Sequence, residues 1–204
     1  MSSMSIIEIP LFPLDVVAFP EGLLPLHIFE TRYVDMVTRC YKEDALFGVV
    51  AVYDSLPDGA LPFASVGTSM RIVALDVPEI GLFNIRCHGQ QRFKVLSAGQ
   101  QSDGLWVGQV EMLSTEQAVP VPEDLEATGE NLRQVIDALL REGIAPESLP
   151  IQQPYQFDDC AWVANRWCEL LNLPLSEKQR MLELDSGLLR LELINDLFDA
   201  QVRQ

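Results

Sequence analysis

Residues 9–33, IPLFPLDVVAFPEGLLPLHIFETRY, constrain the fold more than any other stretch, because four prolines cut their apolar residues into runs too short for helices. Each run reads as a short strand. Proline has no N–H to give to a ladder, so Pro10 and Pro13 place the opening strands at a sheet edge, and Pro20 and Pro25 flank a tight turn at Glu21-Gly22. After His27 the period changes. Tyr33, Met36, Val37 and Cys40 recur at helical spacing, with Glu30 or Thr31 placed to start the helix, so an extended entry feeds an amphipathic helix ending near Asp44.

Beyond that helix, residues 46–53 (LFGVVAVY) form a continuous apolar run, as expected of a strand covered on both faces at the centre of the sheet. Residues 55–59 (SLPDG) supply a turn, and residues 66–77 resume as a strand with Gly67 as a bulge or a point of close approach. Residues 82–87 and 92–96 flank His88-Gly89-Gln90-Gln91, which reads as a hairpin around a Gly-containing loop. Residues 105–113 give the last strand, anchored by Trp106. With about six to eight strands and one helix before residue 114, this part is a small mixed barrel or curled sheet.

Residues 114–122 (STEQAVPVP) are a proline-containing connector, after which strand signals vanish. The first helix beyond it carries Leu125, Leu132, Ile136, Leu139 and Leu140 and stops at Gly143, a residue that tolerates the left-handed C-terminal cap. A proline-rich loop covers 144–157. Asp158 or Asp159 caps the next helix, whose Ala161, Ala164, Trp167, Cys168 and Leu171 share a face and which Pro174 closes. Ser176 to Gln179 reads as a capping box for a short helix to Leu184, and Asp185 or Ser186 caps the last, with Leu191, Ile194 and Phe198 as its buried stripe.

The 14 basic and 30 acidic side chains leave a formal charge of -16, so nucleic acid is expected to be repelled. The acids are interleaved with aliphatic residues at helical spacing, as on solvated faces, and form no separate tail. No basic stretch precedes an apolar run at the start, and no run approaches the roughly 18 residues of a membrane span, so a soluble, cytoplasmic protein is expected with no membrane partner. Cys40, Cys87, Cys160 and Cys168 form no C-x-x-C pair and sit among apolar residues; they read as reduced and buried. With only His27 and His88 besides, a metal site would need distant segments, and none is expected.

The words Pro10-Leu11-Phe12-Pro13-Leu14, Val17 to Pro20, Leu24 to Glu30 and Arg32-Tyr33 resemble, in order and spacing, the opening of the Lon protease amino-terminal substrate-binding domain, in its free-standing bacterial form. Later words fit the same resemblance: Val66-Gly67-Thr68 before Arg71-Ile72, Gly89 to Phe93, Leu173-Pro174-Leu175, Lys178-Gln179 leading to Met181-Leu182-Glu183, and Leu189-Arg190-Leu191 with Ile194. They cover nearly the whole chain. The resemblance implies an α+β fold, with a β-rich, pseudouridine-synthase-associated-like (PUA-like) barrel lobe over residues 1–117 and a helical lobe over 118–204. It also implies polypeptide substrates selected for an attached machine.

That machine's own chemistry has no counterpart in these residues. A nucleotide-binding phosphate loop needs G-x-x-x-x-G-K-[ST], and none of Lys42, Lys94 and Lys178 follows a glycine. With the chain ending where the domain ends, no peptidase module is expected. There is no G-x-S-x-G, H-E-x-x-H or G-x-G-x-x-G pattern. His27, inside a strand-like run, reads as a structural histidine bonded to backbone. Cys87 and His88 are strand neighbours whose side chains point to opposite faces, a poor nucleophile–base pair. Glu123-Asp124 and Asp158-Asp159 precede helices, where carboxylates complement the dipole.

The reading is therefore non-enzymatic polypeptide recognition, with no catalytic residue, cofactor or metal, as an adaptor or a holder of unfolded segments. Its partners would be unfolded or apolar polypeptide and a protease or chaperone. An RNA-binding PUA-like module and a small-molecule enzyme with an interlobe cleft gathering Arg92, His88 and a carboxylate are the alternatives. Candidate contacts for polypeptide are Tyr155 and Phe157 in the proline-rich loop, Phe19 and Leu23 at the opening turn, and Phe63. The cluster Arg71, Arg86, Arg92 and Lys94 is expected to pair with the acidic helical lobe.

Overall fold

The proline-punctuated opening does form strands, β1 (Ile6–Leu14) and β2 (Leu23–Ile28), and leads into helix α1 (Thr31–Glu43). The computed structural model describes residues 5–53, 61–145 and 149–202; the turn expected over 55–59 lies outside them. The chain divides into two compact units, Met1–Thr115 and Glu116–Gln204.

In the first unit β3 (Phe47–Ala51), β4 (Val66–Glu79), β5 (Leu82–Gln100) and β6 (Trp106–Met112) follow α1. The sheet order is β2-β5-β4-β3-β1-β6, and β5 also pairs with β6. Strands β5, β4, β3, β1 and β6 thus close into a ring, with β2 added outside on β5. A closed ring leaves few unpaired backbone edges to satisfy.

Two sequence expectations for this unit need correction. β1 is not an edge strand: it pairs in parallel with β3 and antiparallel with β6. Its prolines survive because the two partnerships barely overlap. Pro10 lies opposite Val107 before pairing with β3 begins at Leu11, and Pro13 lies opposite Val50 after pairing with β6 has ended at Leu11. Each proline has a partner on one side only, so its missing N–H can fall on the side that needs no donor. Pro25, by contrast, does sit on an edge strand, since β2 pairs with β5 alone among the described residues. The Gly22 carbonyl accepts from Gly89 N at 2.8 Å, so by alternation Leu24, Leu26 and Ile28 face β5. The missing N–H of Pro25 then faces outward, and the open edge is blunted rather than the ladder weakened.

The second correction concerns residues 88–91, which make no hairpin. β5 runs unbroken through them for 19 residues, and the turn falls earlier, between Glu79 and Leu82, where Gly81 adopts φ +85°. Gly89 serves close packing instead: a Cβ there would lie 2.2 Å from the Phe19 carbonyl oxygen. Backbone bonds from Glu21 N to Gly89 O and from Gly89 N to Gly22 O, both 2.8 Å, staple the opening turn onto the middle of β5.

Strand alternation divides the core of this unit in two. Ile9, Leu11, Val50, Phe93, Val95 and Val110 fill the inside of the ring with Phe63. Phe12, Phe47, Val49, Met70, Ile72, Ile85 and Cys87 face out of it and are covered by Tyr33, Met36, Val37 and Cys40 of α1. β3 contributes to both clusters and all five of its residues are buried, which is why it reads as a continuous apolar run. Burying each large side chain of α1 contributes roughly 1.5–3 kcal/mol, enough to hold a helix of this length against the sheet.

The second unit contains α2 (Glu126–Arg141), α3 (Cys160–Leu170), α4 (Leu175–Glu183) and α5 (Gly187–Val202). Asp159 caps α3, its carboxylate accepting from Trp162 N at 2.9 Å and also from Val119 N at 2.9 Å, which ties the connector to the helix. Ser186 caps α5, accepting from Leu189 N at 3.2 Å. The capping box at Ser176 does not form: α4 starts one residue earlier, after Pro174, and Gln179 bonds Glu183 instead. Leu191 and Ile194 are fully buried, and Phe198 meets Trp167 edge-on at 4.8 Å.

Candidate functional site

Where α1 lies on the ring, two cavities open along the same pair of elements. The first, about 460 Å³, is lined by Phe12, Pro13 and Leu14 of β1, Arg32 and Tyr33 of α1, residues 27–30 before the helix, Gln100 and Trp106. The second, about 550 Å³, is lined by residues 7–10 of β1, Arg39, Cys40 and Glu43 of α1, Asp44, Ala45, Leu46, Gln101 and Val107. β1 and α1 run antiparallel along both, and the consecutive residues Gln100/Gln101 and Trp106/Val107 pass from one cavity to the next. Both lie between helix and sheet, one after the other along β1 and α1.

The first cavity is aromatic. Phe12 and Tyr33 stack with centroids 3.9 Å apart, and Phe29 stands on the rim with 71% of its surface exposed. Phe29 is pushed outward by the change of period: Ile28 completes the inward face of β2, and the helix starts only at Thr31. Burial raises the Tyr33 hydroxyl above its usual range despite the neighbouring Arg32. Arg32 straps this region together. It donates to Glu30 at 2.7 and 3.1 Å and to the Gly104 carbonyl at 3.0 Å, and lies 4.7 Å from the centre of the Tyr33 ring.

The second cavity is acidic. Glu8, Glu43 and Asp44 line it with a single cation, Arg39. Asp44 is paired with Arg71 of β4, and Glu8 accepts from Gln109 at 2.8 Å.

The residues singled out from sequence are dispersed. Phe19 and Phe63 are corrected as contact residues: they are 0% and 2% exposed, Phe19 beneath the opening turn and Phe63 packed edge-on against Trp106 at 5.2 Å, so neither presents its ring to a partner. Leu23 is half-buried on β2, opposite His88. In the other unit Tyr155 and Phe157 are half-buried and form an aromatic cluster with Trp162, at 6.2 and 5.5 Å, with Arg133 4.2 Å above the Phe157 ring. His27 is not bonded to backbone; it is exposed, and its Nδ1 meets the Asn84 side chain at 2.7 Å. Arg71 pairs with Asp44 at the end of α1, and Arg92 is buried at 4% exposure. Cys87 is buried beside a half-exposed His88 whose Nδ1 contacts Gln90, so the two do not form a dyad. Among the described residues, no group of three or more His, Cys, Asp or Glu is arranged to hold a metal ion, and no helix is long and apolar enough to cross a membrane.

Sequence reasoning missed Phe29, Glu8 and Glu43. Phe29 carried a signal, an aromatic residue in neither the strand period nor the helix period. The two carboxylates, 35 residues apart, carried none.

A closed β-barrel with an added edge strand, accompanied by a compact helical unit, defines a two-unit α+β domain of the Lon amino-terminal kind. The chain belongs to the ATP-dependent protease La (LON) substrate-binding domain family, which it matches over residues 8–200. It is similar to the crystal structure of a Lon N-terminal domain protein from Xanthomonas campestris, with a TM-score of 0.73 and 29% identity, over 94% of this chain and 98% of that one. It is 30% identical over 160 residues to protein cereblon of Xenopus tropicalis, covering 76% of this chain and 33% of that protein. It is 25% identical over 206 residues to the Lon protease of Xanthomonas oryzae pv. oryzae, covering 98% of this chain and 24% of the protease. The chain thus spans about a quarter to a third of the length of these curated relatives.

Proposed function

We propose that this chain recognises polypeptide without acting on it chemically, as a holder of unfolded segments or an adaptor that presents them. The observation that carries the reading is the aromatic cavity beside the exposed Phe29, on a chain of the LON substrate-binding domain family. An apolar side chain of an unfolded segment would leave water against Phe29 and Trp106, and Arg32, Glu30 and Gln100 would bond its backbone at the rim. Leu23, and the exposed parts of Tyr155 and Phe157, are proposed as further contacts. The charge of -16 weighs against the RNA-binding alternative.

Phe29→Ser tests this. Because Phe29 is exposed, the substitution should leave the melting temperature nearly unchanged. Binding of a fluorescent, permanently unfolded protein, followed by anisotropy, should weaken about ten-fold or more, as for loss of an aromatic anchor. Unchanged binding would move the site away from this cavity. No binding by the parent protein would end the reading.

A further inference from the structure

We infer that the two cavities between α1 and β1 act together as one furrow, which selects extended peptide segments in which a large apolar side chain and a Lys or Arg are separated by about four or five residues. This rests on the polypeptide-recognition reading and specifies its substrate class.

Two features carry it. The first is the contrast between the cavities: one end is aromatic and its charges are internally paired through Glu30 and Arg32, while the other holds Glu8 and Glu43 against Arg39 alone once Asp44 is paired with Arg71. An apolar anchor fits the first and an extra cation complements the second. The second feature is their separation. Along β1 the lining moves from residues 12–14 to residues 7–10. At roughly 3.3 Å per strand residue, that is about 15 Å. Along α1 it moves from Arg32 and Tyr33 to Arg39, Cys40 and Glu43. At 1.5 Å per helical residue, that is about 12–14 Å. The two routes agree, and an extended peptide covers such a distance in about four or five residues.

The spacing makes the inference testable with short fluorescent peptides of Gly and Ser carrying one Trp and one Lys. The set holds the pair at the proposed separation in both orders, the pair adjacent, and the spaced pair with Lys→Gln. The spaced Trp–Lys peptide should bind about three-fold or more tighter than the adjacent and Lys→Gln peptides at low salt, and the advantage should shrink at high salt. With Glu8→Gln and Glu43→Gln combined, the spaced peptide should lose that advantage while the Lys→Gln peptide binds as before. If all peptides bind alike, or the advantage survives the double substitution, the inference fails and polypeptide recognition stands. If neither the peptides nor the unfolded protein bind, both fail. Concentration-dependent self-association abolished by Phe29→Ser would identify a second copy of this chain as the occupant and overturn the inference.

Discussion

Phe29 and Phe19 show how little residue type says about exposure. Both are phenylalanines near the opening turn, yet one is 71% exposed and the other 0%. Phe19 is covered because β5 passes directly over it at Gly89, a contact between residues 70 positions apart. That contact yields a prediction. Gly89→Ala places a methyl group 2.2 Å from a backbone oxygen, which cannot rotate away, so β5 and the turn must separate. Chemical denaturation should show a loss of about 2 kcal/mol or more; a loss under about 0.5 kcal/mol would mean that the turn moves freely. Tyr155→Ala with Phe157→Ala tests the aromatic cluster of the helical unit. The ring contacts with Trp162 and Arg133 lead to an expected loss of about 2–4 kcal/mol, measured in the same way.

At the scale of elements, periodicity was legible and pairing was not. α1 and the buried stripe of α5 follow from spacing alone, because a helix writes its inward face into residues three and four apart. The length of β5 does not, since His88 to Gln91 look like a loop until β2, β4 and the opening turn are paired with them. The helical unit hides a comparable tertiary feature. Arg190, 0% exposed, donates from α5 to Glu116, to Asn165 of α3 at 2.9 Å and to the carbonyls of Met181 and Leu184 at 2.7 and 2.6 Å. Arg190→Leu should cost about 3–5 kcal/mol, because it removes a buried guanidinium that donates at once to a carboxylate, an amide and two carbonyls; an unfolding midpoint within error of the parent would show that these bonds contribute little. Cysteine chemistry belongs to this scale too. Burial pushes the Cys87 and Cys168 thiols up to about 12 and raises Cys40 and Cys160 as well, so almost no thiolate exists at neutral pH. Alkylation of the native protein should be slow and should accelerate only with denaturant, as mass spectrometry would register.

For the whole molecule, the phosphate-loop pattern missing from these 204 residues predicts no ATP hydrolysis by the purified chain; turnover abolished by a point substitution within it would overturn that. Sequence by itself determined that the strands come before all but one of the helices, most element positions and the family. These reside in local period, in proline and glycine placement and in the order of short words along the chain, none of which depends on what lies across the sheet. Only the tertiary structure decided that β1 sits inside the sheet, that β5 is one strand, and that Phe19 and Phe63 are core. It also decided that residues of β1, α1 and β6 line two neighbouring cavities, one aromatic and one acidic. Each of these follows from contacts between residues far apart in sequence, where ring closure sets the neighbours and no local pattern records the choice.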